Sequence, residues 1–208
     1  MSKIAIASLA GLGAAGASGF GIYNFYFKSS KNRIISIRDR LVSEGFKLLT
    51  SSDKSHWTEL KGAYNNKKSD NDKVFKKSRE DIDEETLKTL CAEVLEKEEN
   101  DLSYSKAKKW CVVPVSVTEH LSNLKLNLLS TTGDGNKSEW EKVVTEYEKD
   151  VNPGKRISDL STLSDQKWEK IRDKCKDLSS KKSYEDDFDT SLESSKRWCV
   201  ANFIGKVA

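Results

Sequence analysis

Lys108-Lys109-Trp110-Cys111-Val112 returns near the end of the chain as Lys196-Arg197-Trp198-Cys199-Val200. Tryptophan and cysteine are rare residues, so the echo prompts a search for an internal repeat, whose detection decides the fold. Working outward from it, Cys91 lies on Cys175 and Tyr64 on Tyr147. Lys54-Ser55-His56-Trp57 lies on Lys137-Ser138-Glu139-Trp140. The segment Ser36–Thr50, ending Leu48-Leu49-Thr50, runs without a gap against Ser116–Ser130, ending Leu128-Leu129-Ser130. The matches keep their order while the spacing grows, through a longer turn at 131–136 and longer loops beyond it. The sequence therefore reads as residues 33–113 and 114–208, two tandem copies of one unit, behind a leading segment 1–32.

Each copy shows the helical period. In the first, Ile34, Ile37 and Leu41 recur on one face, and Gly45 is a stop. Ser55 is the expected N-cap of a helix burying Trp57, Leu60 and Tyr64. Asn65–Glu80 reads as a polar loop, and Asp81 with Glu84 as a capping pair for the next helix. That helix presents Leu87, Leu90, Cys91, Val94 and Leu95, the full amphipathic template. A last helix carries Tyr104, Ala107 and Cys111, and Pro114 ends it. In the second copy the stripes are Val117, Leu121 and Leu124; Trp140, Val143, Val144 and Tyr147; Trp168, Ile171, Cys175 and Leu178; and Phe188, Leu192, Ser195 and Cys199. Ser138 with Glu141 has the capping-box spacing, Asn152-Pro153-Gly154 reads as a turn, and Ser164 as a cap. The expectation is an all-α protein: an N-terminal transmembrane helix, then two small bundles, each of four helices of roughly 10 to 16 residues.

Ile4–Phe27 carries no charge and is closed by Lys28 and Lys31. At about 1.5 Å per residue it crosses a hydrocarbon core of about 30 Å. Tyr23, Phe25, Tyr26 and Phe27 suit a membrane–water interface. Residues 4–27 are accordingly read as the contact with the membrane. A cleaved signal peptide competes with the anchor, since Ala15-Gly16-Ala17 has the A-x-A form, although apolar residues continue past it. Orientation is also contested. Lys28, Lys31, Arg33, Arg38 and Arg40 favour keeping the C-terminal side in the cytoplasm, whereas paired cysteines favour the outside.

Two cysteines per copy in equivalent places allow three pairings. A duplicated unit most simply duplicates its own bridge, which selects Cys91–Cys111 and Cys175–Cys199. The competing state is four reduced thiols acting as small buried hydrophobes. The spacing is not that of a zinc site.

Lys+Arg of 36 against Asp+Glu of 33 leaves +3, which excludes a dedicated nucleic-acid binder. The carboxylate pairs Glu84-Glu85, Glu98-Glu99 and Asp186-Asp187 sit among lysines and read as solvent faces. His56 and His120 occupy non-equivalent places, and neither neighbours a nucleophile motif. Gly133-Asp134-Gly135-Asn136 lacks both the alternating acidic ligands of a calcium loop and the ending of a phosphate loop. No catalytic, cofactor-binding or metal residues are expected. A hydrolase with an unadvertised site, marked by His120 or the 131–136 insertion, is the rival reading. A third, a structural subunit of a membrane complex, would pack through Ala7, Gly11, Ala15 and Gly19.

Several features together resemble the large paralogous families of haemotropic mycoplasmas: the Met1-Ser2-Lys3 start, the Gly/Ala-rich segment, the Leu-Leu-Ser/Thr step before a tryptophan helix, and the closing Trp-Cys. The specific matches are Leu48–Trp57, Leu128–Trp140 and the two Trp-Cys motifs. The resemblance implies a surface-exposed, variable protein engaged in host-cell adhesion through a host protein or glycan, or in antigenic display; the uncharged span and the paired cysteines make it a single-pass protein of the cell membrane with its C-terminal region extracellular. It supplies no catalytic residues and no oligomeric state.

Overall fold

A computed structural model describes residues 35–98, 100–150, 156–160 and 162–201. The proposed membrane segment 4–27 and the turn at Asn152-Pro153-Gly154 lie outside the described residues. Among these residues the protein is all-helical: α1 (Ile37–Ser43), α2 (Lys54–Asn66), α3 (Glu84–Leu95), α4 (Asp101–Trp110), α5 (Val117–Asn123), α6 (Lys137–Lys149), α7 (Lys167–Ser179) and α8 (Phe188–Trp198). No helix of the described residues is long and apolar enough to cross a membrane. Lengths run from 7 to 13 residues, shorter than the periodicity suggests at α1 and α5.

The reason α1 and α5 are short is at their C-termini. Gly45 takes φ +85°; its N–H donates to the Val42 carbonyl and that of Phe46 to Leu41. Lys125 repeats this at φ +62°, with its N–H on Ser122 and that of Leu126 on Leu121. Both are Schellman closures, which end a helix by satisfying its last carbonyls. At the other end, the Ser36 and Ser116 hydroxyls accept the N–H of Asp39 and Glu119. Only Ser116 forms a full capping box, with the Glu119 carboxylate accepting the Ser116 N–H at 2.6 Å.

Four expected caps are corrected. The N-cap before α2 is Asp53 instead of Ser55, because the Asp53 carboxylate accepts the N–H and hydroxyl of Thr50 and closes the turn early. Asn136 does the same before α6, accepting the Ser130 N–H at 2.9 Å. Ser138 is thereby inside the helix, its hydroxyl on Glu139 instead of in a box with Glu141. Asp83, and not Asp81, caps α3 by accepting the Thr86 N–H; Asp81 is drawn to Lys68. Gln166 precedes α7 in the left-handed conformation, while Ser164 accepts a hydrogen bond from Lys170. Nor is the stretch 65–80 polar throughout: Val74 is fully buried and anchors it.

The same internal bonds occur in each half. The Trp57 indole N–H donates to the Thr50 carbonyl at 2.8 Å, and that of Trp140 to Ser130 at 3.0 Å. The N–H of Leu49 donates to Cys111, and that of Leu129 to Cys199. Isolated antiparallel bridges pair Leu48 with Val112 and Leu128 with Val200, then Ser36 with Glu98 and Ser116 with Lys182. Tyr64 meets Trp110 edge-on at 5.2 Å, and Tyr147 meets Trp198 at 4.7 Å. Helix contacts match as well: α1 lies on α3 and α4, α5 on α7 and α8, α2 on α3 and α6 on α7.

The described residues nonetheless form one compact unit. One core gathers the apolar faces of α1–α4 together with Val117, Leu121, Phe188, Leu192 and Val200. A second holds Leu129, Trp140, Val143, Tyr147, Ile157, Leu160, Ile171 and Trp198 around Cys175–Cys199. Helix α5 thus joins the core of the first half, α8 serves both cores, and through them the halves adhere.

Candidate functional site

The sequence-predicted residues with chemistry are the four cysteines, and the structure joins Cys91 to Cys111 and Cys175 to Cys199, with Cα separations of 5.4 and 5.7 Å. The geometry follows from helix order. Cys91 sits on the inner face of α3 and Cys111 just past α4, which packs beside α3; Cys175 on α7 and Cys199 after α8 repeat this. All four are buried. Closing loops of 20 and 24 residues removes chain entropy worth roughly 3 kcal/mol each. The bridges are local to each half and do not tie the halves together.

The join between halves is made elsewhere, and it is the most concentrated polar feature of the described residues. Asp186, in the turn before α8, receives three ammonium groups from the first half. Lys109 of α4 reaches one carboxylate oxygen at 2.7 Å, while Lys67 at the end of α2 and Lys73 in the following loop reach the other at 2.8 and 2.7 Å. The hydrogen bond from Lys109, followed by those from Lys67 and Lys73, holds the Asp186 carboxyl far below the usual carboxylate range. The Lys73 ammonium is raised by its bond to Asp186. Beside them Lys108 reaches Asp189 at 2.6 Å, and the Tyr184 hydroxyl donates to Glu59 at 2.9 Å. Burial, with Glu59 adding, pushes the Tyr184 phenol up to about 12.

An open groove of about 380 Å³ runs along this seam, with Ala63, Asn66 and Lys67 on one side and Tyr184–Asp187 on the other, over Trp110. Its central carboxylate is saturated by cations and stays ionised, so it cannot serve as a proton acceptor near neutral pH. The arrangement fastens two surfaces together. Asp186 is exposed, as the sequence suggests, but the lysines around it come from another part of the chain. One signal was available, since Lys67 has Asp150 as its counterpart. In the second half Arg197, the counterpart of Lys109, pairs with that Asp150 at 2.7 Å.

His56 lies on the exposed face of α2, 3.7 Å from Glu59. His120 is only 2% exposed and stacks on Phe46 at 4.2 Å, with Phe188 edge-on at 6.2 Å. It presents almost no surface to a substrate. In the 131–136 insertion, Gly133 and Asp134 face Arg172, which donates to the Gly133 carbonyl. Among the described residues no cluster of three His, Cys, Asp or Glu side chains could hold a metal ion.

Compared with protein-family models, curated proteins and solved structures, the chain matches none.

Proposed function

We propose that this protein is a surface-displayed binding or antigenic module, built from two copies of one disulfide-stapled helical unit and held to the cell membrane by residues 4–27. The observation that carries the reading is the pair of bridges, Cys91–Cys111 and Cys175–Cys199, at equivalent places in the two halves. Disulfides of this structural kind persist in oxidising surroundings and are rare in a reducing cytoplasm. The uncharged Ile4–Phe27 run supports an anchor, and the resemblance to the mycoplasmal surface families supports display to a host protein or glycan.

Protease added to intact cells tests the placement. Residues beyond 30 should be lost while a cytoplasmic marker survives. Digestion only after lysis would overturn the external placement, and four alkylatable thiols in protein taken from intact cells would overturn the staples.

A further inference from the structure

The contact between the halves contains one group with no ionic role in the clamp described above. The His120 imidazole comes from α5 of the second half. Phe46 of the first half lies nearly parallel to it, at an interplanar angle of 20°, and Phe188 of α8 packs edge-on beside it, 6.4 Å from Phe46. The turn that carries Phe46 is in close contact as well: a Cβ added at Gly45 would lie 3.0 Å from Leu124 and 3.8 Å from His120. The imidazole is thus enclosed by rings and aliphatic carbon at the place where one half touches the other. Its Nδ1 is buried and makes no hydrogen bond among the described residues.

We propose that His120 is an acid-sensitive latch between the two halves: neutral, its ring completes the apolar contact with Phe46, and protonation opens that contact. A second N–H on the buried ring would need an acceptor, and the carboxylates that act on it are engaged elsewhere. Glu44, just after α1, is held by Arg40 at 2.9 Å and by the Tyr104 hydroxyl of α4. Asp189 of α8 is held by Lys108 of α4. Lys196 of α8, on Glu193, and Lys108 both oppose a further positive charge, while Glu44 and Asp189 favour it more weakly than burial disfavours it. An uncompensated buried charge is costly, so the structure moves before it accepts one. Burial, with Lys196 adding, accordingly pushes the imidazole down to about 4.

The latch and the clamp share no residue. Asp186 keeps its charge through the same acid range, because three lysines hold its carboxyl far below the usual value. Acid therefore loosens the Phe46–His120 side while the Lys67–Lys73–Lys109 clamp still holds, which parts the halves about the clamp without separating them. An unperturbed imidazole titrates near 6.5, so the interval over which the latch is loaded is mildly acidic.

The test uses the full chain in detergent, with the two imidazole resonances followed by NMR against pH. At pH 5 the His120 ring should remain largely neutral. Titration of His120 together with a free imidazole overturns the proposal. Amide protection at 44–46 and 117–126, corrected for intrinsic exchange, should fall more than tenfold between pH 7 and pH 4.5. In His120→Leu the same change should shrink to under threefold. An unchanged pH response in His120→Leu also overturns the proposal. If that variant does not fold, the wild-type titration and exchange decide alone.

Discussion

The two halves are alike where the backbone is tied and unlike where they meet. Equivalent tryptophans donate to equivalent carbonyls, Trp57 to Thr50 and Trp140 to Ser130, and equivalent cysteines close equivalent helix pairs. At the seam the pattern breaks. Arg40, Glu44 and Tyr104 of the first half form a polar knot, with the Arg40 guanidinium 3.7 Å above the Tyr104 ring. Their counterparts in the second half are His120, Leu124 and Leu192, an apolar set that Gly45 and Phe46 cover. Lys67 and Lys109 reach across to Asp186, while Asp150 and Arg197 turn to each other. The bonds that build a half cannot change without unfolding it, but the surfaces that join the halves are free to diverge into complementary partners.

If each half depends on its own staple, the largest effect comes from the bridges. Cys111→Ser and Cys199→Ser, each with its partner also replaced by serine, should lower stability by about 2–4 kcal/mol apiece in denaturant unfolding. Amide exchange should show the loss chiefly in α3–α4 for the first pair and α7–α8 for the second. Losses spread evenly over both halves would break the comparison, because the staples would then act on the whole. Disulfide mapping without reductant should return the two local pairs only.

Acid provides the next effect. The His120 imidazole is depressed to about 4 from its usual 6.5, so the unfolded chain binds more protons between those values. The stability due to keeping His120 neutral is fully present above pH 6.5 and is lost as pH falls toward 4. At about 1.4 kcal/mol per unit, the loss is about 3 kcal/mol over that interval. Thermal unfolding at pH 7 and pH 4.5, wild type against His120→Leu, measures it. An equal fall in both proteins would remove His120 from the comparison.

How much of this was legible in the sequence depends on the range of the interaction. The all-α class, the helix positions and the cysteine pairing rest on periodicity and on the repeat, both local or self-referential signals. Trp57, Tyr64, Trp140 and Tyr147 fell on buried stripes because a helix repeats its inner face every three to four residues. Caps were misplaced where a side chain closed the preceding turn: Asp53 and Asn136 had stronger claims than Ser55 and Ser138 because Thr50 and Ser130 stood within reach. The seam left only one trace, the mismatch of Lys67 with Asp150 between the copies. Lys109 finds Asp186 only after both halves have folded, and no local pattern distinguishes that aspartate from Asp187 beside it.

A smaller effect follows at the clamp. Asp186→Asn removes the carboxylate from three lysines that would then repel one another. All four groups are partly exposed, so the expected loss is about 1 kcal/mol, declining as salt is raised. Asp150→Asn should show a similar or smaller loss located in the second half alone. A loss at Asp186 that ignores salt would mean that shape, instead of charge, holds the seam.

The smallest effect sharpens the comparison at the ends of α1 and α5. Both helices close through a residue in the left-handed region, Gly45 at φ +85° and Lys125 at φ +62°. A side chain there costs about 1 kcal/mol, which glycine avoids. Lys125 bears that cost because its N–H and that of Leu126 still close the helix onto Ser122 and Leu121. Gly45 could not, since its Cβ would press on Leu124 at 3.0 Å within the seam. Lys125→Gly should therefore raise stability by up to about 1 kcal/mol, offset in part by the greater freedom of glycine in the unfolded chain. Gly45→Ala should lower it by at least as much, and should also weaken protection at His120 and Phe46. Equal and opposite changes confined to the two helix ends would leave only the shared backbone cost; an excess at Gly45 measures how tightly the halves close on each other.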